Sequence, residues 1–463
     1  MSMFIIPVRS PGLAHISYIF GHGGKAGVVD PRRDCQIYQD IARAHGAVIT
    51  HIFETHRNED ICSGGAALAR RTGAVCCHGR QLPFAFGQAV QEGDRFRFGS
   101  LEAKVLETPG HTFESISVAL YDHSAGAAGA STAVAVFTGD CLFIGDVGRT
   151  DFFPGQERET ATNIYESIHN KLLPLGDQTI VYPAHGAGSV CGASLSEREF
   201  STIGHERRCN TVLQLPDKEA FIQFKMAEIH HKPQYFSKME EYNLLGSAPD
   251  LPTLPQPAPV SAKTFMDKKS AGMQVVDIRS PEAFGGAHVP GSYCFPLDML
   301  SAYCGYFLTF DKEIGLVIDE LAQADEAVAQ LYRMGYDNVT CFLSGGLPAW
   351  ETAGFTYESL PSVHVDELVR RIDANEDFTL LDVRAEGEWA NGLLPGATPI
   401  YLGDLERKLT TLPTDRPVTC FCGSGRRAVI AASLLLRAHI GPVENCLGSM
   451  AACMALGCRL ENA

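Results

Sequence analysis

Histidine, aspartate and cysteine recur in this chain at the ends of apolar, strand-like runs. Side chains at such ends can converge on one point above a sheet edge. The first place is Glu54-Thr55-His56-Arg57-Asn58-Glu59-Asp60-Ile61-Cys62-Ser63-Gly64-Gly65, which follows an apolar run from Ala47 to Phe53 and precedes a helix-like run from Ala66 to Thr72. His111, in Thr108-Pro109-Gly110-His111-Thr112, is the next candidate ligand. Gly110 lets the backbone turn sharply and Pro109 fixes its approach. Asp140, in Phe137-Thr138-Gly139-Asp140-Cys141, and His185, in Tyr182-Pro183-Ala184-His185, each follow a further strand-like run. A single strand-end histidine is more often a hydrogen-bonded structural residue. Several in one segment point to a metal.

A second chemistry stands near the end of the chain. Cys422-Gly423-Ser424-Gly425-Arg426-Arg427 lies between a strand-like run, Pro417 to Phe421, and a helix-like run, Ala428 to Leu436. Two glycines allow the loop to curl with its backbone N–H groups inward, forming an anion-binding nest. The helix start adds positive potential. A thiol at the head of that cradle is expected to have a lowered pKa and to act as a nucleophile.

The elements that must position these residues are those of several α/β units. At 463 residues the chain exceeds one ordinary domain. An apolar fraction of 45% and a charged fraction of 20% are those of a folded protein. The net charge of −16 and pI near 5.4, with no Lys/Arg block, argue against nucleic acid or an anionic membrane as partner. The start, Met1-Ser2-Met3-Phe4-Ile5-Ile6-Pro7, lacks a signal peptide's basic and apolar regions, and no long apolar run offers a membrane span. The 15 cysteines are scattered without a C-x-x-C pair, as in a reducing cytoplasm.

Strand-like and helix-like runs alternate as far as Tyr242. Ser17–Gly21 and Ala26–Pro31 read as a hairpin, and Leu101–Leu106, Ile116–Tyr121, Ala133–Phe137 and Thr179–Tyr182 as strands. Cys35–His45 and Thr162–Leu172 read as helices, and His123–Ser131 as a small-residue surface loop. Leu244–Ser261 carries five prolines with little periodicity and reads as a linker. Beyond it lies a repeat: Asp277-Ile278-Arg279 through Val289-Pro290-Gly291 matches Asp382-Val383-Arg384 through Leu394-Pro395-Gly396. Two copies of an α/β domain are expected, meeting between Thr356 and Val363. The expected domains are 1–243, a linker over 244–261, and copies over 262–356 and 357–463.

The Thr55 to Ile61 stretch resembles the T-H-x-H-x-D-H signature of the metallo-β-lactamase fold, with Asn58 and Ile61 standing where two histidines would be. Residues 4 to about 242 resemble in particular the persulfide dioxygenases. Further matching stretches are Gly148-Arg149-Thr150-Asp151 and Thr202-Ile203-Gly204-His205-Glu206-Arg207-Arg208. The resemblance implies an αββα sandwich with one Fe(II) per chain, held by His56, His111 and Asp140, the 2-His-1-carboxylate arrangement that leaves positions open for substrate and O₂. It offers Arg149, Arg207 and Arg208 for the anionic part of a thiol carrier such as glutathione. Asp60, His185 and Asn58 are expected to orient ligands rather than bind the ion. A dinuclear zinc thioester hydrolase of the glyoxalase II kind needs imidazoles that Asn58 and Ile61 cannot supply.

The Cys422 loop, with Asp382 and Arg384 upstream, resembles a rhodanese, a sulfurtransferase that carries sulfur as a cysteine persulfide. By that resemblance Cys422 is the carrier, and Gly423, Ser424, Gly425, Arg426 and Arg427 bind the anionic donor, with Arg427 catalytic. In the first copy Asp319, Ala322 and Ala324 stand at the places of Cys422, Gly425 and Arg427. It is expected to be inactive. Together the domains resemble the persulfide dioxygenase–rhodanese fusions of bacterial sulfide detoxification. The implied partners are a small persulfide or thiol, O₂, and sulfite or thiosulfate. The alternatives are the zinc thioester hydrolase and a sulfur carrier in which Cys422 alone matters. The sequence leaves a homo-oligomer and the direction of sulfur flow open.

Overall fold

In the computed structural model, the structure describes residues 3–125, 132–189, 195, 196, 198, 200–251 and 253–462. Part of the expected small-residue loop, 126–131, and Pro252 of the expected linker lie outside the described residues. The chain divides into two compact units, Met1–Thr253 with Tyr332–Gly335, and Leu254–Leu331 with Tyr336–Ala463. Among the described residues no helix is long and apolar enough to cross a membrane.

Two six-stranded sheets form in the first unit. In one, Phe4–Ser10, His15–His22, Lys25–Val29, Val48–Glu54, Val75–Gly79 and Gln88–Val90 lie side by side in chain order. In the other the order is Ser201–Thr202, Ile180–Pro183, Ala133–Gly139, Ile116–Asp122, Leu101–Glu107, Arg95–Phe98. Alternating aromatic and aliphatic residues from both, Phe20 and Phe53 with Phe98 and Phe137, bury a shared core between the sheets. Phe20 stacks on Phe137 at 5.4 Å and meets Phe98 edge-on at 4.9 Å, so the rings interlock rather than merely touch. Helices Gln36–Ala44 and Gly65–Thr72 cover the outer face of the first sheet through Tyr38, Ile49, Ile52 and Leu68. Helix Glu157–Ser167 covers the second through Ile164 against Leu106 and Val181. This is an αββα sandwich.

The helix expected over Thr162–Leu172 begins earlier, at Glu157, and its end, Ile168–Leu172, is wound as a π-helix. Glu157 and Glu159 in the first turn favour the early start, because carboxylates there oppose the positive end of the helix dipole.

The second unit holds the repeat. Each copy builds a five-stranded parallel sheet of one topology. The orders are Ala258–Val260, Val339–Leu343, Ile314–Val317, Gln274–Asp277, Tyr293–Cys294, and Ser362–Val363, Val443–Cys446, Val418–Phe421, Thr379–Asp382, Ala397–Pro399. The matched Asp-x-Arg pairs form the same bidentate contact: Arg279 Nη2 to Asp277 at 2.7 Å and Arg384 Nη2 to Asp382 at 2.7 Å. The end of the proline-rich stretch is not free chain, since Ala258–Val260 pairs with Cys341–Leu343. It is an edge strand, where a proline costs no ladder bond.

Candidate metal centre and thiol loop

Strand ends deliver the first constellation. His56 follows Val48–Glu54, while Thr108–Thr112 follows Leu101–Glu107, Asp140 follows Ala133–Gly139, and His185 follows Ile180–Pro183. Leu101–Glu107, Ala133–Gly139 and Ile180–Pro183 run in one direction, so their C-terminal ends share an edge. Two glycines allow the approach. Gly110 has φ +148°, and a Cβ there would lie 2.5 Å from the Ile164 backbone nitrogen; Gly139 has φ +54°, and a Cβ would lie 2.5 Å from Thr55 Oγ1.

Three buried atoms meet at that edge. Asp140 Oδ2 is 3.7 Å from His56 Nε2 and 3.5 Å from His111 Nε2, and the imidazoles stand edge to face at 5.0 Å. Among the described residues none of the three atoms has a hydrogen-bond partner, although all three side chains are buried. Buried polar atoms are normally satisfied, so converging orphans suit a cation. The other ring nitrogens fix the tautomers. His111 Nδ1 lies 3.0 Å from the Arg149 carbonyl, which can only accept, so Nδ1 carries the proton and Nε2 its lone pair. The Thr55 hydroxyl donates to Asp30 Oδ2 at 2.7 Å and has a lone pair left for the Nδ1–H of His56 at 2.9 Å. In its neutral form each imidazole therefore presents an unprotonated Nε2 inward.

Asp60 and His185 lie behind this group. His185 Nδ1 donates to Asp140 Oδ1 at 2.7 Å, and its Nε2 is 2.9 Å from Asp60 Oδ2. Burial disfavours the charge on His185, but Asp140 and Asp60 outweigh it and raise the imidazole well above its usual range. Asp140 is also opposed by burial, yet the charge on His185 holds it well below the usual carboxylate range. His185 thus aims the free oxygen of Asp140 at the two histidines.

The loop residues missing from the resemblance have their own places. Asn58 adopts φ +43°, and its Nδ2 donates to the His56 carbonyl at 3.2 Å. Ile61 is buried. Asn243, on helix Phe236–Leu245, reaches across with Nδ2 to the carbonyls of Arg57, Asn58 and Ile61 at 3.1, 2.7 and 2.7 Å, tying the loop down. Sequence reading passed over Asn243, because nothing in its own helix marks a tertiary contact. It also passed over Glu59, which is fully buried with Oε2 3.4 Å from His111 Nε2. His56, Glu59 and His111 offer ligand atoms within 4.8 Å of one another and could hold a metal ion.

The arginines expected to hold substrate are engaged with protein groups. Arg149 is buried, makes two 2.7 Å bonds to Asp151, and lies over Phe152, whose ring meets His111 edge-on at 5.1 Å. Arg207 and Arg208 are exposed and face Asp177 at 3.2 and 3.5 Å. The structure does not bring Arg207 or Arg208 among the converging ligands; nothing in their sequence context distinguished surface pairing from substrate contact.

In the second unit Cys422 follows strand Val418–Phe421 and is buried. Its sulfur accepts the Gly425 N–H at 3.1 Å, and its own N–H donates to Ser449 Oγ at 3.1 Å. Gly425, at φ +93°, starts helix Arg426–Arg437. Arg427 lies against the loop but grips Glu388 with both Nη atoms, at 2.5 and 2.8 Å. Arg426 pairs with Asp298 of the first copy. Ser424 and Gly423 complete the loop's curve. In the first copy the corresponding turn is closed on itself, with the Asp319 and Glu320 N–H groups both donating to Gln323 Oε1 at 2.9 and 3.1 Å.

The family model for the rhodanese-like domain matches residues 260–353 and 364–455. A crystal structure of a metallo-beta-lactamase from Staphylococcus aureus subsp. aureus COL covers 74% of this chain and 99% of its own, at 30% identity and a TM-score of 0.65. The human mitochondrial persulfide dioxygenase ETHE1 is 29% identical over 213 residues, 44% of this chain and 73% of the relative. A hydroxyacylglutathione hydrolase of Rhodospirillum rubrum is 32% identical over 166 residues, 35% of this chain and 57% of the relative. The chain belongs to the metallo-β-lactamase-fold proteins, with that fold joined to rhodanese-like domains in one polypeptide.

Proposed function

We propose that the chain is a non-heme Fe(II) persulfide dioxygenase joined to a rhodanese sulfurtransferase. The observation that carries this is the meeting of His56 Nε2, His111 Nε2 and Asp140 Oδ2, buried and without a hydrogen-bond partner among the described residues, beside a loop that lacks imidazoles at Asn58 and Ile61. Residues 1–243 would house the dioxygenase and 357–463 the sulfurtransferase, with 262–356 inactive and 244–261 linking. The human relative named persulfide dioxygenase supports the first assignment and the rhodanese-like match the second. A cytoplasmic location suits a chain whose described cysteines are free thiols.

The ion would supply a Lewis-acidic point with open positions for O₂ and a soft sulfur donor. The overall reaction is RSSH + O₂ + H₂O → RSH + SO₃²⁻ + 2 H⁺, in which the sulfane sulfur is oxidised and O₂ is reduced. The chain's own part is to hold both imidazoles in the binding tautomer through Thr55 and the Arg149 carbonyl. Phe152 and the buried walls exclude water. At the second site the Cys422 sulfur attacks the outer sulfur of a persulfide RSSH, that S–S bond breaks, the thiol RSH leaves and Cys422 carries the outer sulfur as its own persulfide. Sulfite then attacks the outer sulfur, the S–S bond breaks, thiosulfate leaves and the Cys422 thiolate returns. The reverse direction, from thiosulfate to a thiol acceptor, uses the same groups.

Metal content of anaerobically purified protein and O₂ uptake on adding glutathione persulfide test the reading. One iron per chain with uptake is expected. Zinc with thioester cleavage would establish the hydrolase instead, and neither metal nor uptake would leave a sulfur carrier built on Cys422.

A further inference from the structure

Glu59 has no role in the three-residue set. Yet it is fully buried, and among the described residues neither of its carboxylate oxygens has a hydrogen-bond partner. Its nearest charged neighbours are His111 Nε2 at 3.4 Å and Arg57 Nη2 at 3.7 Å. A carboxylate is rarely carried into a protein interior without compensation. Here its oxygen points at the same ring nitrogen that Asp140 faces from 3.5 Å. His56, His111 and Glu59 satisfy the spacing of a metal-binding group by themselves.

The backbone explains how an acidic side chain reaches this place. Asn58 occupies the left-handed region at φ +43°, which asparagine tolerates better than most residues. Its carbonyl is held by Asn243 at 2.7 Å and its amide by the His56 carbonyl at 3.2 Å. That turn directs the following side chain inward instead of along the loop. Asn58 therefore acts on the site through its conformation.

We propose that Glu59 is a fourth protein donor to the metal, beside His56, His111 and Asp140. This rests on the metal-centre reading of the same site and changes its chemistry. Two carboxylates would balance a divalent ion's charge, where Asp140 alone would leave it half balanced.

The test uses the full chain, stripped of metal and titrated with Co(II) against a competing chelator, with the visible d–d bands recorded. Glu59→Gln keeps the shape and removes the anion. Expected are a Co(II) affinity at least about 10-fold weaker, since even an orienting partner is worth that much, and altered bands. Glu59→Asp, a second variant for the case in which Gln prevents folding, should bind with altered bands and intermediate affinity. Unchanged affinity and bands in either folded variant, with a lowered melting temperature of the metal-free protein, would make Glu59 a structural ion-pair partner of Arg57 and overturn the proposal. Wild-type protein that binds metal but takes up no O₂ with persulfide would defeat the dioxygenase reading, while the Co(II) comparison would still decide Glu59.

Discussion

Replacing Thr55 by valine keeps the side chain's shape and removes one hydroxyl. That hydroxyl donates to Asp30 Oδ2 at 2.7 Å and accepts from His56 Nδ1 at 2.9 Å, inside a region closed to water. The variant leaves two buried polar atoms, Asp30 Oδ2 and His56 Nδ1, without partners, at roughly 1–3 kcal/mol each, or about 2–6 kcal/mol in all. Most domains survive such a loss. His56 also loses what fixes its tautomer and ring angle, so metal affinity should fall about 10- to 100-fold. The stability cost should depend on pH in a defined direction. Burial lifts the Asp30 carboxyl to about 7, and the two Thr55 hydrogen bonds pull it down towards that value. Without the hydroxyl the carboxyl rises further. A raised acid loses stability as pH climbs towards its folded pKa, so the gap between wild type and Thr55→Val must widen from pH 6 to pH 8. Urea unfolding of the metal-free protein across that range measures the gap, and chelator competition measures affinity. Unchanged affinity, or a gap that narrows with pH, would refute the Asp30–Thr55–His56 chain.

Gly139→Ala forces a side chain into the left-handed region and a Cβ to 2.5 Å from Thr55 Oγ1, so thermal unfolding should show a loss of about 2–4 kcal/mol with weakened metal binding. Cys422→Ser should abolish thiosulfate sulfurtransferase activity while persulfide-driven O₂ uptake persists; loss of both would contradict the division of labour between the units. Burial opposes the Asp151 anion, but Arg149 outweighs it and holds the carboxyl at about 2 against an ordinary 3.8. That stability is present above the ordinary value and is lost as pH falls through both, so Asp151→Asn should cost about 2 kcal/mol at neutral pH and flatten the acid limb of a stability–pH curve.

The sequence carried the order of elements because apolar period and turn residues are local. The strand ends bearing His56, His111, Asp140 and His185 follow from them, as does the twofold copy around Asp277 and Asp382. Residues whose meaning depends on a distant partner were harder. Asn58 reads as a lost imidazole until its backbone angle is known, and Glu59 reads as loop surface until that angle turns it inward. Asn243 sits on an ordinary helix and acts 180 or more residues away in sequence. Arg149 looks like a substrate ligand from its motif, and only the fold shows its guanidinium matched to Asp151 two residues on. Prolines around Ala258–Val260 suggested free chain, because an edge strand and a linker tolerate proline equally.

His56 is oriented by a hydroxyl and His111 by a main-chain carbonyl, and the two will age differently under mutation. A hydroxyl can vanish through a single codon change. The carbonyl at position 149 is present whatever residue stands there, so a saturation library should find no substitution that deletes His111's partner directly. Its vulnerability moves to the neighbour that sets the path of the chain. A Cβ at Gly148 would sit 1.9 Å from the Asp140 carbonyl oxygen and 3.3 Å from His111 Nδ1. In a library selected for metal retention, tolerance should therefore be set by glycine at 148, and one ligand of the centre is inherited through the backbone.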